Sequence, residues 1–90
     1  PIPQIFSLSP NYPNPFNAST TIEYSLPQEA EVAIDIYDIL GRRIETLVSG
    51  KQAAGSHLIK WEAGNTPSGV YFYRIKAGEY SQTQKCVLLK

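Results

Sequence analysis

A single cysteine, a single histidine, no methionine and no long apolar run leave this 90-residue sequence without the usual equipment of several protein classes. Cys86 alone can form no internal disulfide and can supply neither a cysteine zinc site nor a thiol–disulfide pair. Set among Val87, Leu88 and Leu89, it reads as a small buried hydrophobe. No stretch is long enough to span a bilayer, and no charged start leads into a hydrophobic segment, so neither a membrane span nor a signal peptide is expected. Eight Lys and Arg balance eight Asp and Glu. No overall field therefore draws in nucleic acid or an anionic membrane, and neither nucleic-acid binding nor membrane insertion is expected. The missing methionine and the Pro-Ile-Pro start read as a piece of a longer precursor. We expect residues 1–10 to be a linker from an upstream part and residues 11–90 to be one folded module, which at this size buries only about two thirds of its unfolded surface.

The chemistry-bearing residues are sparse and scattered. His57 lies in a strand beside Ile59 and Trp61, with no partner at the spacing of a zinc or hydrolase site, and reads as a half-buried, hydrogen-bonded histidine. Glu23, Glu31, Asp35, Asp38, Glu45, Glu62 and Glu79 stand singly on strands or at turns, so no paired general acid and base is visible. A calcium loop needs several oxygen ligands together, whereas "YDILGR" offers only Asp38, whose side chain is better suited to capping its own turn. No glycine-rich phosphate loop opens a helix. The expectation is a non-enzymatic protein with no metal and no cofactor.

What the sequence has in quantity is β-alternation. "TTIEYSL" sends Ile22, Tyr24 and Leu26 to one face and Thr21, Glu23 and Ser25 to the other. "EVAIDIY" repeats this with Val32, Ile34 and Ile36, and "DILGR" turns the chain, Gly41 being the natural residue for positive φ. "RIETLV" fits neither a clean period of two nor a helix, and reads as a strand with a bulge. "SGKQAAG" reads as a loop and "SHLIKWE" as a strand with His57, Ile59 and Trp61 on one face. In "VYFYRIKA", Tyr71, Tyr73 and Ile75 alternate with Val70, Phe72 and Arg74; both faces are apolar enough for a central strand. Gly78 and Glu79 connect it tightly to "YSQTQKCVLL". About seven short strands with turns between them predict an all-β, immunoglobulin-like antiparallel β-sandwich, with Trp61 as a core anchor in place of a disulfide.

The stretch "NYPNPFNAST" precedes the first clear strand. Pro13 and Pro15 fix φ and push Tyr12 and Asn14 out of helical space, giving an extended strap with little entropy to lose. We expect Tyr12 and Phe16 to pin it to the sandwich edge, where prolines also discourage pairing with another chain. The aromatics Tyr12, Phe16, Tyr24, Tyr37, Tyr71, Phe72, Tyr73 and Tyr80 could include a platform for sugar stacking, but alternation assigns most of them to the core.

"YPNPFN" before "STTIEYSLP", "IYDILGRRIETLVSG" with "AAGSHLIKW", then "SGVYFYRIKAG" and "QTQKCVLLK", resemble in this order the C-terminal sorting domain of the type IX secretion system. They are also similar to the immunoglobulin-like domain of the flagellar hook-capping protein. The resemblance runs from about Leu8 to Lys90. It implies a non-enzymatic signal at the end of a larger exported cargo. Such a domain is recognised after export to the periplasm by the outer-membrane translocon and shuttle proteins. It is then cut off by a surface sortase that attaches the cargo to lipopolysaccharide. It places the domain-start motif on Tyr12, Pro13, Asn14, Pro15, Phe16 and Asn17, and a structural turn on Asp38, Gly41 and Arg42. Sorting recognition falls on Gly69, Val70, Tyr71 and Arg74, and on Lys85, Val87, Leu88, Leu89 and Lys90. If Lys90 ends the chain, the last strand presents its edge to a receptor. Cys86 stands where the family often has methionine or another apolar residue. A structural or assembly module, as in the hook cap or beside an extracellular enzyme, is the alternative, and a carbohydrate-binding module is the third.

Overall fold

The computed structural model describes residues 5–90. Residues 1–4, the beginning of the expected linker, lie outside the described residues. Seven strands form: β1 (Ser7–Leu8), β2 (Ser19–Leu26), β3 (Ala30–Tyr37), β4 (Arg43–Gln52), β5 (Gly55–Glu62), β6 (Gly69–Ala77) and β7 (Tyr80–Leu88). They build a three-stranded sheet, β1-β2-β5, facing a four-stranded sheet, β4-β3-β6-β7. All strand pairs are antiparallel, which makes the domain the all-β sandwich that the alternation predicts.

The alternating residues meet between the sheets. Ile22, Tyr24 and Leu26 from β2, Val32, Ile34 and Ile36 from β3, Trp61 from β5, and Tyr71, Tyr73, Ile75 and Ala77 from β6 are all buried. β6 lies between β3 and β7, the central position that its two apolar faces require. Trp61 is fully buried, with the Phe16 ring 5.3 Å away on one side and the Tyr71 ring 5.7 Å away, edge-on. Its indole Nε1 donates to Glu45 Oε1 at 3.1 Å. The buried tyrosines also find acceptors: Tyr71 bonds the Pro67 carbonyl and Tyr73 the Ser9 carbonyl. A core built without a disulfide thus keeps the polar atoms of Trp61, Tyr71 and Tyr73 paired while burying large aromatic area.

β4 is a bulged strand, as the sequence predicts, but differs from that reading in the number of its bulges and in its length. It carries two bulges: the register passes from Ile34↔Val48 to Asp35↔Thr46, skipping Leu47, and from Ile36↔Glu45 to Tyr37↔Arg43, skipping Ile44. Each extra residue flips the faces once, which is why "RIETLV" shows no period of two. It also continues through Ser49, Gly50, Lys51 and Gln52, which were expected as loop; only Ala53 and Ala54 separate it from β5. An edge strand needs only its backbone to pair with β3, so polar side chains on its exposed surface are no obstacle. The other strand not read from the sequence is β1. Ser7 and Leu8, in the expected linker, pair with Ser25 and Tyr24, and the Leu8 side chain is buried.

Candidate functional site

The strap and the end of the chain come together at one edge of the sandwich. Phe16 and Leu88 form a parallel bridge, in which Phe16 N–H donates to the Val87 carbonyl at 3.0 Å and Leu89 N–H to the Phe16 carbonyl at 2.8 Å. Asn14 Oδ1 accepts the Val87 N–H at 3.1 Å. Phe16 itself is buried against Trp61. Further back, the Tyr12 backbone exchanges two hydrogen bonds of 2.9 Å with Thr21. The strap is therefore stitched to β2 at one end and to β7 at the other, closing the gap between the two sheets. The peptides preceding Pro13 and Pro15 are both cis.

The pinning side chains differ from the expectation. Phe16 is buried, but Tyr12 is 81% exposed, and the inward position belongs to its neighbour Asn11, 3% exposed. The reason is backbone geometry. Tyr12 pairs with Thr21 through its own N–H and C=O, and neighbouring side chains on an extended segment point to opposite sides. Asn11 Nδ2 donates to the Pro13 carbonyl at 3.1 Å and to Thr20 Oγ1 at 3.0 Å, while Thr20 Oγ1 donates to the same carbonyl at 2.8 Å. Asn11 Oδ1 is buried with no partner. Asn11 carries no periodic or motif signal, and Thr20, although in phase with Ile22, Tyr24 and Leu26, is polar, so sequence reasoning missed both.

The last block divides into buried and exposed members. Leu88 and Cys86 are fully buried and Tyr71 is 7% exposed, while Val70 and Val87 are half-buried. Arg74, Lys85, Leu89 and Lys90 are exposed. Gly69 starts β6 opposite Leu88. Lys90 is drawn back onto the loop before β6, its N–H donating to Ser68 Oγ at 2.9 Å and its ammonium to the Gly64 carbonyl. Asn17 lies on the same side, in a shallow cavity shared with Ala18, Glu62, Gly64 and Lys90. Burial pushes the Cys86 thiol up to about 12, so the thiolate that reactivity needs does not form near neutral pH.

The β3–β4 turn is held by its own side chain. Asp38 Oδ1 accepts the N–H groups of Leu40 and Arg42, each at 2.9 Å, and Oδ2 accepts Arg42 Nε at 2.8 Å. Gly41 closes the turn at φ +82° and donates to the Asp38 carbonyl. The Arg42 N–H, with the Arg42 guanidinium and Leu40 N–H assisting, holds the Asp38 carboxyl below the usual carboxylate range against the opposing effect of desolvation. The turn presents Ile39 and Leu40, each 73% exposed. His57 Nε2 lies 2.8 Å from the Ala53 carbonyl, and the ring stacks on Tyr24. Among the described residues no three His, Cys, Asp or Glu side chains converge, and Tyr12 is the only exposed aromatic.

Comparison with known proteins agrees with this architecture. The family described as secretion system C-terminal sorting domain matches residues 11–89. No curated protein matches the chain. Among solved structures the domain is similar to part of PorZ, described as an essential bacterial surface component of the type IX secretion system of Porphyromonas gingivalis. The TM-score is 0.62 at 20% identity, over 94% of this chain and 11% of the PorZ chain. At that identity the likeness establishes a shared fold. The family match begins at the strap and ends at Leu89, taking in both halves of the strap–β7 closure, and the chain belongs to the secretion system C-terminal sorting domain family.

Proposed function

We propose that this domain is the secretion and anchoring signal of a larger exported protein, read by protein–protein recognition at its last hairpin. The cargo precedes it in the same precursor and reaches the periplasm first. There the outer-membrane translocon and shuttle proteins take the domain up, and a surface sortase then separates it from the cargo. The cargo ends at the cell surface or outside the cell. Residues 1–10, of which Ser7 and Leu8 already pair with β2, lead from the cargo, and residues 11–90 form the signal. One observation supports this most: the start motif and the last block, far apart in sequence, are hydrogen-bonded to each other. A receptor that tests the last block thereby also tests whether the whole domain has folded.

Of the recognition residues named from the family, Arg74, Lys85, Leu89 and Lys90 are the exposed ones; these make the contact. Gly69, Val70, Tyr71, Val87 and Leu88 shape the hairpin that carries them. The test is a reporter fused ahead of the domain in a bacterium with an intact type IX system. A combined Arg74→Ala, Lys85→Ala and Leu89→Ala variant leaves the core intact and should hold the reporter in the periplasm while circular dichroism shows a folded domain. Unchanged export of that variant would refute recognition at this hairpin. Deleting residues 85–90 is less decisive, since it also removes Cys86 and Leu88 from the core.

A second reading, a fixed structural module of a larger surface protein, is favoured by the fold that this domain shares with one part of PorZ. It expects a constant interface with a neighbouring domain and export that does not depend on the last hairpin.

A further inference from the structure

The closure of β7 by the strap is incomplete, and the remainder of that edge has a definite chemistry. In an antiparallel ladder, alternate residues turn their N–H and C=O groups to opposite sides. Val87 points both groups outward, to Asn14 and Phe16. Ser81, Thr83 and Lys85 share its parity, so their backbone groups face the same open edge, and among the described residues these find no partner. The strap cannot reach them, because Pro13 has no N–H and Tyr12 turns away to pair with Thr21; further back the chain meets β7 through β7 side chains, the Leu8 carbonyl accepting from Gln84 Nε2 and Phe6 stacking on Tyr80. The other long edge of this sheet, β4, is guarded by two bulges. β7 pairs with β6 without a register shift from Tyr80 to Leu88 and contains no proline or acidic residue. Apart from Lys85 it lacks the devices that protect an exposed edge.

The face beside this open edge is cationic. Arg74 and Lys76 of β6 and Lys85 of β7 are exposed and share the outer surface of the hairpin. Asp35 stands opposite Arg74 in register, but its Oδ1 accepts from Thr46 Oγ1, and the only ion pair among the described residues joins Arg42 and Asp38. Among the described residues none of these three cations is in an ion pair, although Asp35 stands opposite Arg74 and Glu31 lines the same shallow cavity as Lys76.

We infer that the Ser81–Lys85 edge of β7 is a strand-addition site for an acidic extended segment of a partner polypeptide, which continues the sheet where the strap leaves off. Main-chain bonds to Ser81, Thr83 and Lys85 supply affinity, and carboxylates opposite Lys85, and opposite Thr83 toward Arg74 behind it, supply selectivity. The chain itself already uses this edge as a pairing site, since Phe16 adds to it alongside Leu88. The inference rests on the sorting reading in taking the partner to be part of the export machinery.

The test uses the 90-residue chain and three short peptides: one of alternating Thr and Glu, its Thr and Lys counterpart, and the acidic peptide interrupted by proline. Titration followed by amide NMR should shift the resonances of Ser81 to Lys85 with the acidic peptide alone and slow their hydrogen exchange. Thr83→Pro removes an edge N–H without touching the β6–β7 ladder and should abolish the shifts. Arg74→Glu combined with Lys85→Glu should weaken binding about tenfold or more while the edge stays intact. Equal binding of the lysine peptide, shifts centred elsewhere, or no shift would overturn the inference. So would a dimer of the unliganded chain joined through Ser81–Lys85, which would make a second copy the occupant. Reporter export is measured in parallel. Loss of peptide binding with normal export in Thr83→Pro overturns the edge as the machinery's contact and leaves the sorting role standing. Absence of export from the unaltered fusion counts against the sorting role, while the peptide titration still decides the edge.

Discussion

Asn14 Oδ1 and the Val87 N–H, 73 positions apart in sequence, are joined by a 3.1 Å hydrogen bond that covers one donor of the β7 edge. Replacing Asn14 with alanine leaves that N–H to water, since Asn14 is exposed. We expect a loss of about 0.5–1.5 kcal/mol, with faster hydrogen exchange at Val87 and not at the β3 amides. Asn14→Asp keeps an acceptor and should restore much of the protection. Exchange at Val87 that is insensitive to Asn14 would show that the Phe16 bridge alone holds the strap to β7.

Trp61 is the centre of the core and is bonded outward to Glu45. Trp61→Ala should cost about 3–5 kcal/mol, measured by urea denaturation, because it removes the ring between Phe16 and Tyr71 and leaves a cavity. Glu45→Ala leaves the buried indole N–H without an acceptor and should cost about 1–3 kcal/mol. Glu45→Gln preserves the acceptor and should cost less than Glu45→Ala. If the two Glu45 variants prove equal, the hydrogen bond contributes nothing.

How far the fold was legible follows from where the physics is local. In β2, β3, β5 and β6 each inward residue is two positions from the next, and Ile22, Val32, Trp61 and Tyr73 could be assigned to the core by counting. β4 was not countable, because the bulges at Ile44 and Leu47 reset the period twice. β1 was invisible because a two-residue strand has no period at all. The prolines predict an extended strap, whereas the chain bends through residues 13–15, and which side chain turned inward depended on Tyr12 pairing with Thr21, a contact that no local pattern records. The aromatic Tyr12 looked like the anchor, while the polar Asn11 fills that place by bonding Pro13 and Thr20. For the candidate site, the buried half of the last block was readable from its hydrophobicity. The division of the β7 edge into a covered part and an open part was not, since it depends on a long-range bridge.

Asp38 gives the β3–β4 turn a dependence on pH. Its folded carboxyl lies below the usual range, chiefly through the Arg42 N–H. A depressed folded value means that the contribution is fully present above the unfolded carboxylate pKa and is lost as pH falls through the folded value. Asp38→Asn keeps an acceptor for Leu40 and Arg42 but cannot titrate. The stability difference between the parent and this variant should therefore shrink on acidification below the usual carboxylate range, followed by thermal melts across acid pH. A difference that stays constant to the lowest pH would show that the charge on Asp38 does not stabilise the turn.

Cys86 supplies the opposite sign at the alkaline end. Its thiol is fully buried, with a folded value pushed up to about 12 by burial. A raised folded value means that stability is fully present below the pKa of the unfolded thiol and declines as pH rises through the folded value. The native thiol should therefore be nearly inert to a disulfide reagent at neutral pH and react at the rate of global or local opening, speeding up with urea. Cys86→Ser places a hydroxyl where the surroundings are Leu88 and the aromatic core, and should cost about 1–3 kcal/mol, more than Cys86→Ala if the hydroxyl finds no acceptor. Rapid stoichiometric labelling of the folded domain would mean that β7 separates from the core far more readily than its covering strap allows. In that case the strap would have to be treated as a hinge and not as a closure.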